Sequence, residues 1–284
     1  MIHDSESPSP GTYGVRLLKA LAYEGLFLFS TEEARGTATR IGISENYISP
    51  LLGLLVRDGW LSRLHRGLFV RSGTAPGDLH VHPFAVATRL VTPSAVSHWS
   101  ALNYHGLTEQ VPTVVNAFTP KKVVTPSMRT RRGGLIQGRH GWEIQGIRYE
   151  YVSVKREHFF GNEEIWVDEY FKVPITDRER TILEVFISPR IFGGMGEGLG
   201  IVESHIHEID TEKLVTYAIR YGKIAAVKRI GWALERAGVS ESRLEPLLNM
   251  PATGYHALDP TRPHQGACDK RWMIQDNMGI SKKT

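Results

Sequence analysis

The chain has 284 residues, 41% hydrophobic and 23% charged, with a formal net charge of +4. That length suits two domains of ordinary size, and the apolar fraction excludes a mainly disordered chain. A lone cysteine, Cys268, excludes an intramolecular disulfide framework, and no apolar run approaches the ~20 residues that span a bilayer.

The start, Met1-Ile2-His3-Asp4, has neither the basic residues nor the apolar run of a signal peptide. The expectation is a cytoplasmic protein with no membrane partner, a flexible N-terminus over 1–12 and a tail over 277–284. The positive balance is compatible with nucleic acid without showing it.

Residues 14–27 read as a helix with Leu17, Leu18, Leu21 and Ala22 on one side. Ser30 and Glu33 have capping-box spacing, and Gly42 ends the helix that they start. Ala38, Ile41, Gly42, Ile43, Ile48 and Leu51 then fit a helix-turn-helix: small at the crossing, glycine in the turn, apolar anchors beneath the second helix. This leaves Ser44, Glu45, Asn46, Tyr47, Ser49 and Gly53 facing outward. Pro50 would remove a hydrogen bond inside a helix, at a typical cost of about 3 kcal/mol. The reading is therefore an irregular turn over 45–48 and a regular helix from Ser49, with Pro50 as its first residue.

Trp60, Leu61 and Leu64, then Leu68, Phe69 and Val70, frame a hairpin tipped by His65-Arg66-Gly67. A helix-turn-helix followed at once by such a hairpin is a winged helix, here over 13–72. Candidate DNA contacts are Ser44, Glu45, Asn46, Tyr47, Ser49 and Arg57 on the helices and His65 and Arg66 on the wing. A winged helix used for protein contact alone is the alternative.

Residues 73–82 read as a linker. A helix is expected over 83–91, and another capped by Thr92-Pro93 that runs through Val96, Trp99 and Leu102. Strands are expected over 111–119, 142–154 and 164–173. Thr176 or Asp177 caps a helix over 178–186, the glycines of 193–200 form a flexible connection, and helices follow over 211–221, 223–237 and 240–250. A final strand lies at 271–275. The fold class is α+β: a winged helix-turn-helix, then a mixed α/β domain over 83–276 with a helical C-terminal part.

His205 and His207 lack a third and fourth ligand at suitable spacing. Asp168, Glu169 and Lys172 would suit a Mg²⁺-dependent nuclease, but adjacent acids on a strand face opposite sides. The glycines of 193–200 lack the Lys-Ser/Thr of a phosphate loop. Cys268 lies near Lys270 and Arg271 but has no evident base. No cofactor, metal or catalytic residue is assigned. A basic stretch runs from Lys121 to Arg156, and its Arg129, Arg131 and Arg132 suit contact with phosphate or an acidic protein surface.

Several segments together resemble the AbiEi-type antitoxins of type IV toxin–antitoxin systems. They are Gly59-Trp60-Leu61 with Arg66-Gly67-Leu68-Phe69-Val70, Ser100-Ala101-Leu102 with His105-Gly106-Leu107, and Phe159-Phe160-Gly161. Asp177 through Leu183, Leu258-Asp259-Pro260 and Arg271-Trp272 complete the set, in order over roughly residues 13–276. The chain departs from the pattern at Pro50, at Glu184 and in the long glycine run. The resemblance implies a bacterial or archaeal protein with a role in phage defence or element maintenance. It implies a winged helix that represses its own operon at inverted repeats, and a second, non-enzymatic domain that counteracts a nucleotidyltransferase toxin. A stand-alone regulator with a ligand-sensing domain, or a metal-dependent DNA-processing enzyme, are the alternatives.

Overall fold

A computed structural model describes residues 10–72, 81–125, 128, 141–144 and 146–280. It is a mixed α+β fold in two compact units. The first is Met1–Thr92 with Glu143–Ile147 and Trp166–Lys172, and the second is Pro93–Trp142, Arg148–Ile165 and Val173–Thr284. Among the described residues no helix is long and apolar enough to cross a membrane.

The first unit begins with α1 (Pro10–Tyr23), β1 (Leu28–Ser30), α2 (Thr31–Arg40) and α3 (Glu45–Arg57), then β2 (Leu61–His65) and β3 (Leu68–Arg71). The three strands form an antiparallel sheet in the order β1-β3-β2. Helix α1 starts earlier than its periodicity predicts, and it also ends earlier, where Gly25 turns the chain at φ +70°. Strand β1 has no signature of its own in the sequence. Three residues between two helices show no period, and their pairing with Leu68–Val70 makes them a strand. Leu17, Leu21, Phe29, Ala38, Ile48, Leu51, Leu52, Leu61 and Phe69 are buried in one core.

The capping box at α2 forms in both directions. The Glu33 amide donates to Ser30 Oγ at 3.1 Å, and the Ser30 amide donates to Glu33 Oε2 at 2.6 Å. Gly42 takes φ +74° in the turn to α3. The expected start of the next helix at Ser49 is corrected: α3 begins at Glu45, with Ser44 as its N-cap and Pro50 inside. Pro50 is the sixth residue of α3, beyond the first turn whose amides have no intrahelical acceptor, so it costs the helix a hydrogen bond. The missing amide deprives one carbonyl, that of Asn46. Burial of Ile48, Leu51 and Leu52 on both sides of Pro50 offsets the loss.

Most of the expected linker, 73–80, lies outside the described residues. Val81 is buried and His82 is the N-cap of α4 (Pro83–Leu90), its Nδ1 accepting the Phe84 amide at 3.2 Å. Helix α4 groups with the first unit, where Arg89 pairs with Glu33.

Next come β4 (Ala95–Val96), α5 (His98–Tyr104), β5 (Val114–Thr119), β6 (Gly141–Ile144), β7 (Ile147–Ser153), β8 (Asn162–Trp166) and β9 (Lys172–Thr176). They make a six-stranded sheet in the order β6-β7-β5-β4-β9-β8. Three expectations are corrected here. The helix expected from Pro93 starts only at His98, because Ala95 and Val96 are claimed by the sheet: β4 runs antiparallel to β5 and parallel to β9. The strand expected over 142–154 is a hairpin, broken where Gly146 takes φ +77°. The strand expected over 164–173 is also broken. Asp168 lies in its turn, and its Oδ1 accepts the amides of Tyr170 and Phe171, both at 2.8 Å. The acids of the nuclease alternative are thus not on a strand, and Asp168 shapes a turn.

The helical part is α6 (Arg178–Ile187), α7 (Gly196–His205), α8 (Thr211–Tyr221), α9 (Ile224–Arg236) and α10 (Glu241–Leu248). Asp177 caps α6 by accepting the Arg180 amide at 2.8 Å. Every residue of α6 after Arg178 is buried, and it packs against α5, α7, α8 and α9. The flexible connection expected over 193–200 is corrected, since α7 starts at Gly196. The absent side chain of Gly198 lets α7 lie close to α6: a Cβ there would stand 3.1 Å from Val185 Cγ1.

The chain closes with β10 (His256–Ala257), β11 (Ala267–Asp269) and β12 (Ile274–Asp276) in the order β10-β12-β11. The final strand thus begins three residues later than predicted and has two partners. The expected tail is anchored as far as Ile280. Asn277 Oδ1 accepts the Asp259 amide at 2.9 Å, and Asn277 Nδ2 donates to Pro263 O at 3.0 Å.

Candidate nucleic-acid interface

The helix pair α2–α3 and the β2–β3 hairpin carry the residues singled out for DNA. Ala38 is fully buried where α2 meets α3, and Ile43, Ile48 and Leu51 hold α3 to the core. With these apolar positions inward, Ser44, Glu45, Asn46 and Ser49 are exposed at the start of α3. Tyr47 is half-buried, its ring edge-on to Tyr13 at 5.8 Å, so it serves packing as much as contact.

Asn46, Ser49, Pro50, Gly53 and Arg57 share the outer side of α3 and are all exposed. Nothing lies within 4 Å of where a Gly53 Cβ would be. The middle of that side is therefore low enough for close approach to a partner surface. Arg57 lies on nearly the same side as Asn46 but roughly 16 Å further along the axis. Its Nε donates to Asp58 Oδ1 at 2.9 Å, so it is partly neutralised.

His65 and Leu68 face each other across the hairpin, which leaves Arg66 and Gly67 as a two-residue tip. The expected three-residue tip shortens because His65 belongs to β2. Gly67 has φ +84°. His65 Nδ1 accompanies the Arg66 carbonyl at 2.9 Å, whereas the Arg66 side chain is exposed.

Arg63 is a candidate that the sequence reading did not select. Alternation along β2 puts it on the same face as buried Leu61, which disguises it. In the fold its stem lies along Phe69, with the guanidinium 5.8 Å from the ring centroid and exposed. Thr31, Ser49, Leu52, Gly53, Val56, Arg63 and Phe69 line a cleft of about 390 Å³ between α3 and the hairpin.

The charges of this unit sort themselves by pairing. Arg40 binds Glu24 and Arg89 binds Glu33. The Arg40 hydrogen bond holds the Glu24 carboxyl below its ordinary range. Burial works to raise the Glu33 carboxyl, but the Arg89 hydrogen bond and the Ser30 amide outweigh it and leave it lowered. Arg35, Arg63 and Arg66 are exposed and form no ion pair among the described residues. Arg129, Arg131 and Arg132 lie outside the described residues. Of the rest of the basic stretch, Arg148 stands 3.5 Å from Glu150 and Lys155 3.8 Å from Glu157.

No family model matches the chain, and no curated protein matches it in sequence. The fold is similar to that of the Rv2827c protein from Mycobacterium tuberculosis, a crystal structure with 14% sequence identity. The match covers 93% of this chain and 90% of that one, with a TM-score of 0.60. The likeness extends over both units, and at that identity it shows the fold alone.

The segments of the antitoxin resemblance from Ser100 onward lie in the second unit. His105 Nε2 lies 2.7 Å from the Thr176 carbonyl, and the Asp177 amide donates to Gly161 O at 2.9 Å. Gly161, at φ +72°, faces Arg180 with no room for a side chain. Trp272 is fully buried against Gly231, and its Nε1 donates to Glu235 at 2.7 Å. These residues are parts of the core and its caps.

Proposed function

We propose that the chain is a DNA-binding antitoxin. Residues 10–72 form a winged helix that represses the chain's own operon at inverted repeats, and the second unit counteracts a nucleotidyltransferase-type toxin, without catalysis of its own. One observation supports the DNA-binding part most. A helix with an exposed polar start and a low outer side lies beside a hairpin whose Arg63 and Arg66 have no acidic partner among the described residues.

Helix α3 fits the major groove. Asn46 is placed to read a base edge, since an amide side chain donates to and accepts from adenine. Ser44, Glu45 and Ser49 flank it, and Arg66 with His65 reaches phosphate beside the groove. The antitoxin part rests on the segments from Ser100 to Trp272 that resemble the AbiEi type.

The test is binding of the purified full chain to its own upstream duplex, against a scrambled duplex, over a salt series. Tighter binding to the upstream duplex, falling steeply with salt, supports the reading. Equal affinity for both refutes autoregulation. The toxin part fails if expression of the adjacent gene, without this chain, does not slow growth.

A further inference from the structure

The second unit holds a cleft that DNA binding does not use. His98, Lys155, His158, Arg180, Glu184 and Tyr221 line it. Its volume is about 340 Å³, inside the range of roughly 300–1,000 Å³ typical of small-molecule sites.

The floor has unspent hydrogen-bonding capacity. Arg180 is 1% exposed and Glu184 3% exposed. Arg180 Nη2 donates to His158 O at 3.3 Å, but Nε and Nη1 have no partner among the described residues. Glu184 Oε2 accepts the His98 amide at 3.0 Å, while Oε1 accepts no hydrogen bond and lies 3.4 Å from Arg180 Nη2. Buried donors and acceptors are nearly always satisfied, so three such atoms side by side call for an explanation. His98 adds a second irregularity, with φ +53°. Such backbone strain persists where the surroundings impose it and clusters at ligand sites.

The walls are flat and aromatic. The His158 and Tyr221 rings stack at 3.9 Å, and the Arg180 guanidinium lies 5.2 Å from the Tyr221 centroid. Both rings are half-buried. Lys155 puts a positive charge at the rim, and His158 puts its ring there.

A bare anion fits this floor poorly, because Glu184 Oε1 would face like charge. A heteroaromatic ring with N–H donors beside acceptors satisfies Arg180 and Glu184 together, as bases are read along their edges between aromatic side chains. We propose that this cleft binds a nucleoside monophosphate. The base edge lies on Arg180 and Glu184, the ring stacks on Tyr221 or His158, and the phosphate lies at Lys155.

Calorimetric titration of the full chain with AMP, GMP, CMP and UMP, and separately with ribose 5-phosphate and inorganic phosphate, tests this. At least one nucleotide binds with a Kd below about 1 mM, at least tenfold tighter than ribose 5-phosphate or phosphate. Lys155→Ala, an exposed change that leaves the fold intact, weakens that nucleotide about fivefold and leaves its nucleoside unaffected. Glu184→Gln weakens nucleotide and nucleoside alike. Equal binding of phosphate and nucleotide overturns the proposal in favour of an anion site. Absence of heat with all four nucleotides, or a Lys155→Ala chain that binds as the parent does, also overturns it.

Discussion

Replacing Arg66 by alanine isolates the tip of the β2–β3 hairpin. The Arg66 side chain is exposed at a two-residue tip and makes no ion pair among the described residues, so its removal should leave stability unchanged. If it meets one phosphate, its loss lowers the slope of log K against log salt by about 0.9. A purely electrostatic contact of that kind is worth about 15-fold in affinity at 50 mM salt and about fourfold at 200 mM. The loss applies equally to the upstream duplex and to a scrambled one. Arg63→Ala should act similarly and add to it, whereas Arg57→Ala should change the slope less, because Asp58 already holds that guanidinium. Fluorescence anisotropy with a labelled duplex at four or five salt concentrations measures all three. An Arg66→Ala chain with unaltered slope and unaltered affinity at 50 mM salt would show that the hairpin tip does not touch DNA.

Other expectations concern stability. Pro50→Ala restores the amide that Asn46 O lacks and should raise stability by about 1 kcal/mol, read as a shifted urea midpoint with unchanged m-value. Gly231→Ala drives a methyl into the Trp272 ring and should cost about 3 kcal/mol, seen in the same experiment. Burial lowers the His98 pKa, against a smaller opposite effect of Glu184. Folding then favours the neutral ring, so its contribution is complete above the unfolded value of 6.5 and declines as pH falls through the folded one. His98→Asn retains a residue that tolerates positive φ. The stability advantage of the parent over this variant should shrink as pH falls below about 6.5; a constant difference would show that His98 does not titrate on unfolding.

The sequence is legible where local chemistry decides the structure. Helix α8 runs over its predicted span, because Asp210 caps it, its apolar period is regular, and Gly222 ends it at φ +74°. The capping box of α2 and the glycine turn before α3 are equally local. Elements decided at long range are not legible. Ala95 and Val96 look helical until two strands from distant segments flank them. Glycine-rich α7 looks like a loop in the sequence, and the need for Gly198 shows only where it packs on Val185 and Phe186. The same division holds for sites. Asn46 and Ser49 emerge from a pattern within one turn of chain. The Arg180 cleft assembles side chains from α5, β7, α6 and α8 and the turn before β8, with no spacing that announces it.

Strand β4 contributes two residues, yet it lies between β5 and β9. The sheet therefore cannot close until Thr176 has left the ribosome. The core of Leu17 to Phe69, by contrast, is complete within the first seventy residues. During synthesis the helix pair and hairpin can gather while the long-range sheet is still waiting for its sixth strand-forming segment. A nascent or truncated chain would then have its helix pair and hairpin before it has the rest of the molecule.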